Sequence, residues 1–520
     1  MEITAKKHKR NTQHNIRWIT VAIVSSILAI SSWAVSSPIG SSPDDDFHLP
    51  SIWCGQGVRE GLCQEDIRDG WYQIPYTTMG NSACFAFDKD ASGACDYDNS
   101  LAAQFHLNLA SNLYPPVYYW VMSWMASPDI PSATISIRIF NGILTVLVIS
   151  LLLFALPPSQ RRAPLLALIL TSVPLTIFLM GSTNPSAWSY LGLLTFLTAF
   201  LGFLSEVRKK PKITLGLIAG LGLLMAVGSR ADAAPFAAFA TVLAWTLVTP
   251  LARKSITNAV SAILIIVAVA LMYLRGGTAA SVVSGVGLEL PQGDRPTPSF
   301  FGNLSRLPDL WAGVFGTWEL GWLDTPMPAI VWFFALGIYT AVIFSAVKFF
   351  DLRQAMAFTL TIVGLVFVPM YILMSNGLSV GEQVQPRYLL PLVVFAVFTA
   401  LYRTKGDSGL VLSLGQLSIA GGALAIANAV ALHTNLRRYL TGLDERGINL
   451  DVGIEWWWDS SPLSPNFVFI VGASSFALFL FSVWKLRHTI GLTDDLINMK
   501  QKSLSNLENP NAELRPDNER

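Results

Sequence analysis

Apolar residues fall in long blocks along this chain, separated by short polar turns and by three longer polar segments. An α-helix needs about 17–25 mainly apolar residues to cross a bilayer core, and blocks of that kind recur from Trp18 to Trp484. The pattern predicts twelve spans: Trp18–Val35, Ile135–Leu156, Pro164–Met180, Ala187–Leu204, Ile213–Val227, Ala234–Val248, Ile256–Tyr273, Met327–Phe349, Ala355–Met374, Tyr388–Leu401, Leu410–Leu432 and Phe467–Trp484. They divide the chain into a basic tail (1–17), the first span (18–35), a long acidic segment (36–134) and spans two to seven (135–273). A segment rich in Gly, Pro and aromatics follows (274–326), then spans eight to eleven (327–432), a third polar segment (433–466), the last span (467–484) and a polar tail (485–520) that reads as disordered from Thr493 on. The expected fold is an all-α integral membrane protein of about twelve helices. No small-residue cleavage site stands out after the first block, where Ser36–Ser37–Pro38 is a weak match, so it reads as a retained helix rather than a signal peptide.

Composition agrees: 52% of residues are hydrophobic and 13% charged, about half the charge of a soluble domain. The net charge of +1 gives no reason to expect a nucleic-acid partner. Lysine orients the bundle. Twelve of thirteen Lys, among them Lys6, Lys209, Lys254, Lys348, Lys405 and Lys485, fall in the tails or in the short loops of one face, and only Lys89 falls on the other. The positive-inside rule then places both termini in the cytoplasm. Arginine breaks the pattern, with Arg138, Arg230, Arg275, Arg387, Arg437 and Arg438 at or near outward-facing ends.

The four cysteines, Cys54, Cys63, Cys84 and Cys95, all lie in the first outer segment, on the face where disulfides persist. Three pairings exist. Local closure favours Cys54–Cys63 with Cys84–Cys95, and the C-x₂-C spacing of a zinc site is missing. The aromatic stretch from Tyr114 to Trp124 suits a helix lying at headgroup level, and Trp456–Trp458 suit an interfacial belt. Asp88–Gly93 opens like a calcium loop, but its twelfth position is Asn99 rather than Glu, so it reads as an acidic turn. His106 and His433 read as surface or packing residues.

One cluster invites chemistry. Asp44, Asp45, Asp46 and His48 follow the first span on the outward face. Nucleotide sugars are not expected there, but a sugar on a lipid phosphate arrives within the bilayer. Such a donor carries its own leaving group, so an enzyme needs a base for the acceptor's proton and cations for the departing phosphate. Asp44 suits the first task. Arg230, in "GSRADAAP", and Arg387, in "GEQVQPRYLLPL", suit the second. Taken singly, each has a plainer reading: the aspartates solvate a loop, the arginines snorkel to headgroups, and Asp232 pairs with Arg230. A carboxylate cluster and two arginines on one face together favour a convergent site.

The same residues carry a resemblance. "SSPDDDFH" is similar to the Pro-Asp-Glu-x-x-His that follows the first span in the bacterial membrane-protein family catalogued as domain of unknown function 2142, with Asp45 where Glu is usual. "NPSAW" from Asn184 resembles its Asn-Pro-Ser turn, and "LGWLDTPMP" from Leu320 its Gly-Trp-Leu-Asp block. "VQPRYLLP" from Val384 resembles its Gln-Gly-Arg-Tyr-x-x-Pro, with Pro386 in place of Gly. That family resembles in turn the polytopic C-type (GT-C) glycosyltransferases, which use polyprenyl-phosphate sugars. The resemblance implies a bacterial cytoplasmic-membrane protein with a large first outer loop and an acidic residue near the membrane.

The resulting expectation is a membrane glycosyltransferase that moves a sugar from a polyprenyl-phosphate donor to a glycan or lipid-linked acceptor outside the membrane, with inversion if a single displacement occurs. Asp44 is the base, Asp45 shares that role or holds a divalent cation with Asp46, and His48 orients the carboxylate or meets phosphate. Arg230 and Arg387 stabilise the leaving phosphate, with Tyr388 and Asn184 nearby. No other cofactor is called for. The rivals are a flippase for lipid-linked saccharides and a non-catalytic part of an envelope-glycan machine.

Overall fold

The computed structural model describes residues 2–106, 114–275, 298–404, 410, 412–459, 461–490 and 492. The readings on Lys405, the Lys6 and Arg275 side chains and the tail beyond 492 lie outside those residues. Helices dominate because a chain in hydrocarbon must satisfy its own backbone groups. They are α1 (Glu2–Val35), α2 (Asp45–Trp53), α3 (Pro116–Met122), α4 (Ile130–Ala155), α5 (Arg162–Thr171), α6 (Ile177–Met180), α7 (Ser186–Ser205) and α8 (Lys209–Val227). After these come α9 (Ala233–Leu247), α10 (Ile256–Arg275), α11 (Phe300–Ala312), α12 (Ala329–Val347), α13 (Leu352–Ser375), α14 (Leu390–Leu401), α15 (Leu414–Leu440) and α16 (Pro465–Lys485).

Among the described residues, nine helices are long and apolar enough to cross a membrane, and the three remaining predicted spans fall on shorter apolar helices, Ala233–Leu247, Ile256–Leu271 and Leu390–Leu401. The shortest, α14, rises about 18 Å at 1.5 Å per residue, well under the roughly 30 Å of a hydrocarbon core. It survives because it is buried along its whole length, between α5 and α13. The most enclosed spans are Pro158–Met180 and Ser186–Ser205. α7 meets α8 backbone to backbone: a Cβ at Gly192 would lie 2.5 Å from the Gly222 carbonyl oxygen, so small residues permit the approach.

Helix ends follow sequence signals. Asp129 accepts from Ser132 N at the start of α4, Ser413 and Gln416 form a capping box on α15, and Ser464 precedes Pro465 at the start of α16. α15 overruns its predicted end at Leu432 by two turns. The polar residues there, Asn435, Arg437 and Arg438, are buried and bond to neighbouring loops, so they had no need to leave the helix for water.

A cap covers the end of the bundle where α1 stops, and it adds a small sheet to the expected all-α membrane fold. Gln64–Glu65 (β1), Trp71–Ile74 (β2) and Ala103–His106 (β3) form a small antiparallel sheet in the order β1-β2-β3. Disulfides join Cys54 to Cys63 and Cys84 to Cys95, the local pairing. Two aromatic expectations are also revised. α3 and the turn that follows it expose Trp120 and Trp124 but bury Tyr118 and Tyr119. Trp456 and Trp458 are buried, with Trp458 Nε1 donating to Val35 O at 2.8 Å, so they seal the cap to α1 instead of forming a belt.

Candidate functional site

The loop between α1 and α2 sits in a socket built by distant parts of the chain. Arg138 of α4 donates to the carbonyls of Ala34, Ser37 and Pro38 and to Ser41 Oγ. Asn435 of α15 donates to Ser36 and Ser37, Asn81 to Ile39 O, and Trp322 Nε1 to Gly40 O at 2.7 Å. Gly40 has φ +81°, a left-handed turn that glycine adopts without cost to a side chain.

The three aspartates then part company. Asp45 is fully buried, accepting from Thr183 Oγ1 at 2.5 Å and Ser42 N at 3.1 Å, with Arg138 at 3.9 Å. Asn184 donates to Pro43 O at 2.8 Å and accepts from Ser186 N at 2.9 Å. The Thr183–Asn184 turn thereby clamps both sides of Asp44, whose φ of 60° is left-handed. Asp tolerates that region better than most residues, at a cost of roughly 1–2 kcal/mol. The twist separates the Asp44 carboxylate from its pinned neighbour.

Asp44 Oδ2 lies 2.6 Å from Arg387 Nη2, across 343 positions of sequence. Arg387 Nη2 also reaches Tyr388 OH at 3.2 Å, while its Nε and Nη1 are buried with no hydrogen-bond partner among the described residues. Arg230 grips Asp232 through Nε at 2.8 Å and Nη2 at 2.7 Å, and donates to Ser186 Oγ at 3.2 Å. Its guanidinium lies over the Tyr388 and Tyr114 rings at 5.0 and 5.6 Å. Between Ser186, Arg230, Asp232, Arg387 and Tyr388 is a cavity of about 10 Å³, room for about one water. The site as it stands is closed.

Electrostatics sort the groups further. Burial raises the Asp44 carboxyl, but Arg387, aided by Arg230, outweighs it and holds the group below the usual carboxylate value. Burial pushes Asp45 up to about 6, against the pull of Arg138 and Thr183. Asp46 also rises to about 6, through closely packed protein on its flanks and the charge of Asp44, although its outer side is exposed. His48 is pushed down to about 3 by burial, which the Asp44 charge opposes. Its Nδ1 is 2.9 Å from Tyr119 OH, and its Nε2 has no partner among the described residues. His48 is thus buried, with its ring bonded to Tyr119 instead of to the Asp44 carboxylate.

Four expected residues, Asp44, Arg387, Arg230 and Tyr388, come together. Asp45 and Asn184 do not face them: both are committed to holding the loop, because a buried carboxylate or amide must spend its lone pairs and protons on partners. The metal reading of Asp45 and Asp46 is not supported, since no group of three or more His, Cys, Asp or Glu converges among the described residues and both Asp45 oxygens are engaged. Arg230 pairs with Asp232 as the plainer reading had it. Thr183, Ser186, Tyr114 and Tyr119 were missed. Ser186 stands in the quoted "NPSAW" block and Thr183 directly precedes it, so their hydroxyls were visible, whereas the tyrosines were hidden in a stretch read as interfacial.

The profile of a family of predicted membrane proteins, DUF2142, matches residues 27–396, which takes in the α1–α2 loop, the Thr183–Asn184 turn and Arg387. The chain belongs to the DUF2142 family. No curated protein and no solved structure matches it. The DUF2142 match covers every residue of the Asp44–Arg387 site, while α15, whose last turns hold the cap, and α16 lie beyond it.

Proposed function

We propose that the chain is a GT-C-like glycosyltransferase that moves a sugar from a polyprenyl phosphate to an envelope acceptor on the outer face of a bacterial cytoplasmic membrane. The observation that carries this reading is Arg387, a buried guanidinium that, among the described residues, has two unpartnered donors and pairs with Asp44 at 2.6 Å. A donor phosphate taking up those donors competes with Asp44 for the cation. Release from Arg387 raises the basicity of Asp44, which is the direction a general base needs.

The acceptor hydroxyl oxygen then bonds to the anomeric carbon as the bond from that carbon to the phosphate oxygen breaks. The electron pair leaves on polyprenyl phosphate, held by Arg387 with Arg230 behind it, and the acceptor's proton passes to Asp44. A single displacement inverts the anomeric centre. The closed cavity must widen for this, and the Asp44–Arg387 contact is the one that has to part.

The test is purified protein in vesicles supplied with polyprenyl-phosphate sugars and an extracted acceptor fraction. Wild type should yield glycosylated acceptor and free polyprenyl phosphate. Asp44→Asn should lower turnover by about 10²–10⁴-fold at normal abundance. Asp45→Asn should instead reduce abundance, because its carboxylate braces the loop. Donor crossing the vesicle without transfer would mark a flippase, and full turnover in Asp44→Asn would remove Asp44 as the base.

A further inference from the structure

A second cavity, of about 180 Å³, lies between α1, α4, α5 and α16 and shares no lining residue with the pocket at Arg230 and Arg387. It runs along α1 from Ile19 to Ile30 and along α4 from Thr145 to Phe154. The advance from Ile19 to Ile30 is about 16 Å, close to half of a hydrocarbon core about 30 Å thick. The cleft opens at Arg161 and the 486–490 stretch, on the side away from Asp44, and its inner end is lined by Ile30 and Met180.

Its walls are aliphatic and aromatic, with Ile23, Ile149, Leu153, Leu168 and Phe476 among them. The hydroxyls of Ser26, Thr145 and Ser172 on the lining are turned to carbonyls of their own helices. The space would hold several waters by volume, yet a buried water needs 2–4 polar partners, and inside the rim Ser150 adds one further hydroxyl to those three. A hydrocarbon chain meets both conditions of length and polarity.

The rim away from Asp44 is cationic. Arg161, Leu486, Thr489 and Ile490 line it, and no Asp or Glu is among the lining residues. Arg487 lies within that 486–490 stretch with its guanidinium 4.4 Å from the Trp484 ring, and Lys485 is 5.0 Å from the Phe481 ring and 5.7 Å from Trp18. Aromatic rings beside Lys and Arg mark the headgroup level of a membrane.

We infer that this cleft binds one chain of an anionic phospholipid from the leaflet opposite Asp44, with the lipid phosphate at Arg161 on the rim. The site is independent of the transfer reading.

Native mass spectrometry tests it on full-length protein released from vesicles of equal phosphatidylglycerol and phosphatidylcholine. Wild type should retain one lipid per chain, mainly phosphatidylglycerol. Ser150→Trp fills the cleft and should abolish retention, and the milder Ala22→Leu should weaken it; native disulfides and a monodisperse elution establish folding of each. Arg161→Gln should keep a lipid but lower the preference for phosphatidylglycerol about fivefold, the loss expected for one cation near the headgroups. Lipid-free wild type overturns the proposal, as does undiminished retention in both filling variants. Unchanged selectivity in Arg161→Gln overturns the headgroup assignment, and a cross-link between two copies of a Ser150→Cys variant would overturn the lipid in favour of a polypeptide occupant.

Discussion

At the scale of single residues, the aspartate run contains three different groups. Asp44 meets a cation, Asp45 is a buried brace and Asp46 reaches the surface, although identical side chains stand at consecutive positions. Arg387 is the sharpest test of the site. Lysine keeps the charge but loses the planar fork that binds a phosphate through two donors. Arg387→Lys should therefore lower turnover clearly while the protein accumulates, and Arg387→Ala should lower it further. Loss of one preorganised donor costs about 2.7–4 kcal/mol in well-studied cases, and the lysine variant should fall short of that. Wild-type turnover together with wild-type donor affinity in Arg387→Lys would withdraw it from the site. The titrations give a second test. Asp45 and Asp46 stand at about 6 in the fold against 3.8 unfolded, so the folded state binds more protons between those values and acidification from pH 6 towards 3.8 adds stability. His48, at about 3 against 6.5, works the other way, since the unfolded chain takes the proton first and stability falls as pH drops below 6.5. Asp44 adds a loss at still lower pH, being held below 3.8. In an Asp45→Asn, Asp46→Asn double variant the stabilising arm should vanish. Thermal unfolding between pH 7 and 4 should then show their contribution replaced by a steady decline, and a pH response identical to wild type would contradict these assignments.

At the scale of elements, the cap is tied to the bundle by the last turns of α15. Arg438 donates to Phe85 O at 2.8 Å, to Ala91 O, and to Asp324 through both its carbonyl and its carboxylate, the last at 3.0 Å, with both side chains fully buried. Asp324 is the acid of the Gly-Trp-Leu-Asp block, so that block is a structural anchor. Gly321, at φ +63°, could not carry a side chain there, because a Cβ would lie 2.7 Å from Tyr439 OH. Removing one partner of a buried ion pair costs about 3–5 kcal/mol, whereas replacing both is often far milder. Asp324→Ala should therefore destabilise strongly, and adding Arg438→Met should recover part of the loss in thermal or denaturant unfolding. Additive losses would show that the two do not act as a pair. Hydropathy ended this helix at Leu432 because it counts Asn435, Arg437 and Arg438 as polar. It has no means of knowing that the cap supplies their partners.

At the scale of the whole molecule, sidedness is the property on which the transfer reading depends. Cysteines introduced beside Lys209 should be shielded from a membrane-impermeant thiol reagent in intact cells, and ones beside Asp90 should be labelled. The four native cysteines should stay unreactive until reduced, since none is free. Labelling at Lys209 from outside would reverse the orientation and place the Asp44 site in the cytoplasm. The sequence by itself determined the class, the positions of twelve apolar segments, the bias of lysine to one face and the local pairing of Cys54–Cys63 and Cys84–Cys95. Each is a sum over neighbours in the chain, and burial in lipid or a short closed loop reads such sums directly. It also named Asp44, Arg230 and Arg387. Only the tertiary structure decided that Asp44 faces Arg387 while Asp45 turns to Thr183, that Asn184 is a brace, and that Trp456 and Trp458 are seals. Those outcomes depend on one left-handed backbone turn and on which buried donors find which acceptors, and such partners lie up to hundreds of residues apart, where no local pattern records them.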